Sequence, residues 1–222
     1  MPVPLIVLTN GRRDCLEQTM RAVRRHLHGV AHVTIVDDTG DADHRAWLSD
    51  TFTADVVPVD PDAPAGYWRA MRTVWGIAAG ERAIAFWEDD FVLETHVDLD
   101  ALTAVLDTHP YLTQIALLRQ PWFGNERTAG GLIEALEAQG NEFVERIDGE
   151  RAWIEHRACF TGNPSVIPAA TLAHPWPDGA WSESRFGRDL FADPTTRGAY
   201  WGRRADPPRV RHIGHQRAGT DY

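Results

Sequence analysis

The chain contains no lysine: all 22 of its basic side chains are arginine, in a sequence of 222 residues. A Walker-type phosphate loop ends in a lysine that reaches the nucleotide phosphates, Schiff-base enzymes need an amine nucleophile, and a protein-kinase core needs its strand lysine. Those chemistries are excluded. Arginine stays charged and grips carboxylate or phosphate through a planar fork, so any anion here is clamped rather than attacked. Cysteine is also scarce. Cys15 and Cys159 alone make neither a disulfide framework nor a metal knuckle, and they fit a reducing cytoplasm, the expected location. Apolar runs fall short of the roughly 20 residues of a membrane helix, so no membrane span is expected. The opening MPVPLIVLTNGRRD has no basic stretch before its apolar core and reads as a first strand, not a signal peptide. Repeats and low-complexity linkers are absent as well.

What is present describes a globular chain, with 43% hydrophobic and 24% charged residues. Its length suits one large domain with a full core. The net charge of −10 speaks against a nucleic-acid backbone as partner, because phosphate contacts need concentrated positive charge. That charge is unevenly spread: residues 185–222 hold eight arginines against four aspartates. The nine tryptophans fill core in most cases, but aromatic faces are also where sugars and bases stack.

The first ninety residues alternate strand and helix patterns. Strands are predicted at Pro4–Leu8, His32–Asp37, Asp55–Val59 and Ala83–Trp87, and helices at about Asp14–Leu27, Asp43–Thr51 and Tyr67–Ala79. Such alternation indicates βαβ units and a parallel sheet, with ligands bound at the carboxyl ends of the strands. Polar clusters stand at those ends: Thr9-Asn10-Gly11-Arg12, Asp37-Asp38 and Glu88-Asp89-Asp90. Helix capping accounts equally well for Asp37-Asp38 alone. Further on, strands are expected at Thr113–Leu118 and Ala152–His156, helices at Leu132–Ala138 and Trp181–Phe191, and a last short strand at Arg209–Ile213. This half is expected to complete the sheet.

FWEDDF, residues 86–91, is the sharpest local feature. Three successive carboxylates repel one another, so a cation or a hydrogen-bond network must hold them ionised. Hard oxygen ligands suit magnesium or manganese, although an acidic triplet at a strand end can also be a solvated turn.

Taken in order, these pieces resemble the GT-A fold glycosyltransferases, family 2 and its relatives in particular. The resemblance rests on LTNGR (Leu8–Arg12), TIVDDTGD (residues 34–41) and GYWRAMRTVWGIAAGERAIAFWEDD (residues 66–90), with Gly66, Ala70, Arg72, Gly76 and Ala79 near the family's helix positions. The triplet takes an E-D-D form of the D-x-D motif. The match covers residues 3–91 and only isolated points beyond. It implies a single Rossmann-like α/β domain over residues 1–222, with a mostly parallel central sheet flanked by helices. About 1–95 would bind a nucleotide sugar of UDP or GDP type, and about 96–222 an acceptor whose identity stays open.

The resemblance also implies roles. Thr9, Arg12 and Asp38 would line the base and ribose pocket, Glu88 or Asp89 would approach the ribose, and Arg72 the phosphates. Asp90 would bind Mn2+ or Mg2+, with His212 completing the metal site and Arg217 clamping the diphosphate. An inverting member needs a carboxylate to take the acceptor's proton; Glu183 in WSESRFGRDLF (residues 181–191) holds the motif position, although serine follows where aspartate is usual. Asp189 is the reserve, and a capped helix start at Ser182 explains Glu183 about as easily. Trp122, Asn163 and Trp181 are the acceptor-side candidates. The letters H-I-G-H at His212–His215 mimic a tRNA-synthetase signature, but that signature opens a helix after a first strand and works with a lysine loop. His215 is an alternative to His212. A nucleotidyltransferase on a related sheet and a non-catalytic nucleotide- or sugar-binding module remain the rival functions.

Overall fold

The computed structural model describes residues 2–59 and 66–214. His215 and Arg217 lie outside the described residues. The first half runs β1 (Val3–Thr9), α1 (Arg13–His26), β2 (Leu27–His28), β3 (Val30–Asp37), α2 (Ala42–Thr51), β4 (Asp55–Pro58), α3 (Tyr67–Ile77), β5 (Ala83–Glu88), β6 (Phe91–Leu93) and β7 (Val97–Asp98). The second half continues with α4 (Leu99–Thr108), β8 (Leu112–Leu117), α5 (Gly124–Ala129), α6 (Leu132–Glu137), β9 (Phe143–Asp148), β10 (Arg151–His156) and β11 (Ser165–Pro168). It ends with α7 (Ala169–Leu172), α8 (Ser182–Leu190), β12 (Arg197–Trp201) and β13 (Val210–His212).

Nine strands form one sheet in the order β4-β3-β1-β5-β11-β8-β12-β10-β9. Seven point the same way, and only β11 and β10 run against them. β1 is buried along its whole length because helices cover both faces of the sheet, which is why it reads as an unbroken apolar run. Its side chains still alternate. Leu5 and Val7 join the core with Leu16, Ile35, Trp87 and Ile115, while Ile6 and Leu8 join the opposite core with Val36, Ala70, Phe86 and Phe186. α1 offers the first core a stripe of Cys15, Leu16, Thr19, Met20 and Val23, and its basic last turn suits the negative end of the helix dipole.

Register places the three polar clusters side by side. Thr9 lies opposite Asp37 and Leu8 opposite Glu88, so the carboxyl ends of β3, β1 and β5 form one ledge. The expected final strand is present as β13. It pairs with β6 in a separate two-stranded ribbon, setting His212 opposite Phe91, next to the acidic triplet.

Candidate active site

The triplet divides its labour. Asp89 is buried, and its carboxylate accepts hydrogen bonds from Thr9 Oγ1 (2.8 Å) and the Asn10 backbone N–H (3.2 Å), and pairs with Arg12. Both Thr9 and Asp89 are thus spent on holding the turn after β1. Neither lines the cavity described below. Arg12 spans Asp89 and Asp90 with its two terminal nitrogens. Burial opposes the guanidinium's charge, but the two carboxylates outweigh it and raise its pKa further.

Asp90 is the junction of the site. His212 Nε2 lies 2.9 Å from its Oδ2, and the Ile213 N–H donates to the Asp90 carbonyl at 2.8 Å. Burial works to raise the Asp90 pKa, but the His212 hydrogen bond and the Arg12 charge overcome it and hold the carboxyl below its ordinary value. The other oxygen, Oδ1, is buried with no hydrogen-bond partner. A buried carboxylate oxygen left unpaired is costly, and a divalent cation is a natural partner for it. Among the described residues, no group of three or more histidines, cysteines and acids is close enough to cage an ion by itself. Asp90 and His212 by themselves therefore offer two side chains, one of them with an unpartnered oxygen.

His212 is held from three sides. Its ring stacks on Phe91 (4.6 Å between centroids) and leans on Trp122 (4.1 Å). The Gln120 side chain makes a pair of bonds to its backbone, donating to the carbonyl (3.0 Å) and accepting from the N–H (2.9 Å). Just beyond, Arg119 and Glu126 form a buried fork-to-fork pair at 2.7 and 2.8 Å. Glu126 also accepts from the N–H groups of Trp122 and Phe123, which orders the loop carrying both aromatics.

A second acidic group faces the first. Glu183, in the first turn of α8, accepts from the Tyr67 hydroxyl at 3.1 Å and from the Gly162 backbone. Burial raises its pKa, and those two bonds restrain the rise. Glu88 is raised well above its ordinary value, first by burial and then by Asp90, Glu183 and Asp89, with Arg12 opposing. Gly162 is what lets these groups close up. A Cβ there would come within 2.5 Å of the Tyr67 hydroxyl and 3.0 Å of both Glu183 Oε2 and Glu88 Oε1.

A cavity of about 1030 Å³ opens onto this arrangement. Arg12, Glu88, Asp90, Glu183 and His212 line it, and so do Trp122, Asn163 and Trp181. Asp38, at the end of β3, lies outside that lining; its carboxylate accepts from the Gly66 N–H, and burial raises its pKa. Its neighbour Asp37 is spent locally, on Thr39 and Arg45. Arg72 is not brought to the cluster at all. It is exposed and pairs with Asp178 at 2.6 Å. Asp189 is exposed on α8 and also outside the lining.

Sequence reasoning missed Tyr67, the Arg119–Glu126 pair, Arg157 and Arg188. Only Tyr67 left a signal, as the first helical residue after Gly66 in the stretch that carried the resemblance.

No family model matches the chain, and no curated protein matches it in sequence. Solved structures do match over nearly all of it. S. aureus TarS 1-349 in complex with UDP-GlcNAc superposes with a TM-score of 0.63 at 14% identity, covering 100% of this chain and 60% of that one. Mannosyltransferase PcManGT from Pyrobaculum calidifontis, in complex with GDP-Man and Mn2+, gives 0.60 at 14% identity, with 97% of this chain and 58% of that one covered. The chain has the GT-A fold. This GT-A domain spans about 60% of the length of the TarS 1-349 chain it matches. It also matches CMP:2-keto-3-deoxy-manno-octonic acid synthetase complexed with CTP, at a TM-score of 0.52 and 12% identity, covering 90% of this chain and 88% of that one. No helix among the described residues is long and apolar enough to cross a membrane.

Proposed function

We propose that the chain is a metal-dependent, inverting glycosyltransferase that moves a sugar from a UDP- or GDP-type nucleotide sugar to an acceptor hydroxyl. One observation carries the reading: the Asp90–His212 pair, with its unpartnered carboxylate oxygen, and the half-buried Glu183 open into the same cavity. Residues of about 1–95 would hold the donor, and those of about 96–222 the acceptor. The UDP-sugar and GDP-sugar complexes of the structural neighbours, one with Mn2+, support the donor class.

Asp90 and His212 would hold Mn2+ or Mg2+, which when bound supplies positive charge to diphosphate oxygens. Arg12, lining the cavity beside Asp90, adds a fixed positive charge where the leaving diphosphate becomes more negative. Glu183 takes the acceptor's proton as its oxygen attacks the anomeric carbon from the face opposite the leaving group. A raised pKa makes Glu183 a stronger base than an exposed glutamate, and the Tyr67 hydroxyl fixes its orientation. Glu88 stands next to that proton path. Asp38 remains the candidate for the base, at the end of β3.

The test is a thermal-shift screen of nucleoside diphosphates and nucleotide sugars, with and without manganese. A true ligand at one hundred times its Kd stabilises by about 2.7 kcal/mol. Absence of stabilisation by every diphosphate, with or without manganese, would overturn the reading. The CTP-bound neighbour supports a nucleotidyltransferase as the second reading. Product analysis separates the two, since sugar transfer releases nucleoside diphosphate and nucleotidyl transfer releases pyrophosphate.

A further inference from the structure

The cavity extends past Glu183 along α8. Glu183, Ser184, Gly187 and Arg188 line it from one face of that helix, followed by Phe191 at its end. Its acids and its acid-free arginines stand at different ends of this path. The carboxylates Glu88, Asp90 and Glu183 stand at the strand-end side and at the helix's first turn. Arg188 stands in the last turn, and Arg157 donates to the carbonyls of Phe191 and Asp193, which brings a second guanidinium to the same helix end.

Among the described residues, Arg188 has no carboxylate partner and no side-chain hydrogen bond, whereas the cavity's Arg12 and Arg119 are each bound to acids. Arginine in a last helical turn also complements the helix dipole, but that role does not require it to face a cavity. Exposed aromatics at the cavity's rim add apolar faces for a ligand. Phe123 and Trp181 are 47% and 57% exposed, and both line the cavity. Trp181, the residue before α8, is moreover the only non-glycine with positive φ among the described residues, at 59°, a backbone cost of the kind found at functional sites.

We propose that the cavity binds an anionic acceptor along α8: a hydroxyl-bearing molecule whose body meets the rim aromatics Phe123 and Trp181 and whose carboxylate or phosphate meets Arg188 and Arg157 at the far end of the helix. With a rise of about 1.5 Å per residue, the backbones of Glu183 and Arg188 are roughly 7–8 Å apart along the helix axis. Small ring compounds with a hydroxyl at one end and an anionic group at the other probe that arrangement. The anion site stands on its own geometry. Its role as acceptor site rests on the glycosyltransferase reading.

The test is equilibrium binding, by calorimetry at low salt, of 4-hydroxybenzoate, 4-hydroxyphenyl phosphate and the neutral 4-hydroxybenzamide. The anions should bind about tenfold tighter than the amide, as charge-assisted hydrogen bonds outweigh neutral ones. Arg188→Gln should erase the preference while the protein keeps its melting temperature, because Arg188 is exposed and unpaired. Arg157→Gln should reduce it as well. Equal affinity for the anions and the amide, or a preference that survives in Arg188→Gln, would overturn the proposal. Manganese-dependent binding of a nucleoside diphosphate is measured in the same proteins. Its absence beside an intact anion preference removes the glycosyltransferase reading and leaves the anion site.

Discussion

At the scale of single residues, function turns on carboxylates whose neighbours differ. Asp89 is surrounded by donors and acts as a clamp, while Asp90, one position on, keeps an oxygen free. Asp90→Ala should remove manganese-dependent diphosphate affinity, with a loss beyond the roughly 10–100-fold that follows from disturbing an outer partner. Unchanged manganese dependence in a titration of that variant would dismiss Asp90 as a ligand. For Glu183→Gln, donor binding should persist and turnover should fall by roughly 10²–10⁴-fold, the usual contribution of a general base. The base works only when deprotonated, and burial raises its pKa. Activity should therefore fall with acidification at a pH above the ordinary carboxylate range. Tyr67→Phe removes a bond that restrains this rise, so its acid limb should move to still higher pH. A limb that stays put in a rate–pH profile would separate Tyr67 from the base.

At the scale of elements, short pieces do the positioning. β13 has three residues, yet it delivers His212 to a carboxylate 122 positions earlier in the chain. Its register is pinned by Gln120. Gln120→Ala should weaken manganese-dependent binding by about tenfold and leave metal-free nucleotide binding unchanged. Equal metal-dependent affinity in wild type and variant would show that β6 alone sets the register. α5 is fastened differently, through the buried Arg119–Glu126 pair. Glu126→Ala strands a buried guanidinium and two N–H groups, a loss of about 3–5 kcal/mol. For a chain of this size that is roughly a 10 °C fall in melting temperature. A shift within 2–3 °C on calorimetry, about what 1 kcal/mol produces, would argue that solvent reaches the pair.

At the scale of the whole molecule, one buried histidine makes stability depend on pH. His156 is buried between Phe143 and Tyr200, and burial pushes its pKa down to about 4. The unfolded chain takes up this proton near pH 6.5 and the folded one only near 4, so the stability present above 6.5 is lost as pH falls toward 4. At about 1.4 kcal/mol per unit, the loss is on the order of 3 kcal/mol. His156→Phe should flatten that part of the melting temperature–pH curve. An equally steep decline in the variant would assign it to other groups.

The parallel half of the sheet was legible in the sequence, because β1 and β5 are buried on both faces and read as apolar runs, and helices follow β1, β3 and β4. The ledge of polar clusters followed from that order. β9, β11 and β12 were not legible. β9 is an edge strand with four exposed residues, so burial does not mark it. β11 is four residues long and becomes a strand only by entering between β5 and β8. Helix α4, over Leu99–Thr108, also passed without a prediction.

The missing lysines, the strand-end carboxylates and the order of the βαβ units were set by the sequence itself, since each depends on residue type or on neighbours a few positions away. Which carboxylate keeps an open oxygen, which histidine meets it, and that Arg72 turns to Asp178 while Arg188 faces the cavity were decided by the tertiary structure. These outcomes depend on what is packed around each group, and desolvation and pairing act over a few ångströms of space regardless of distance along the chain.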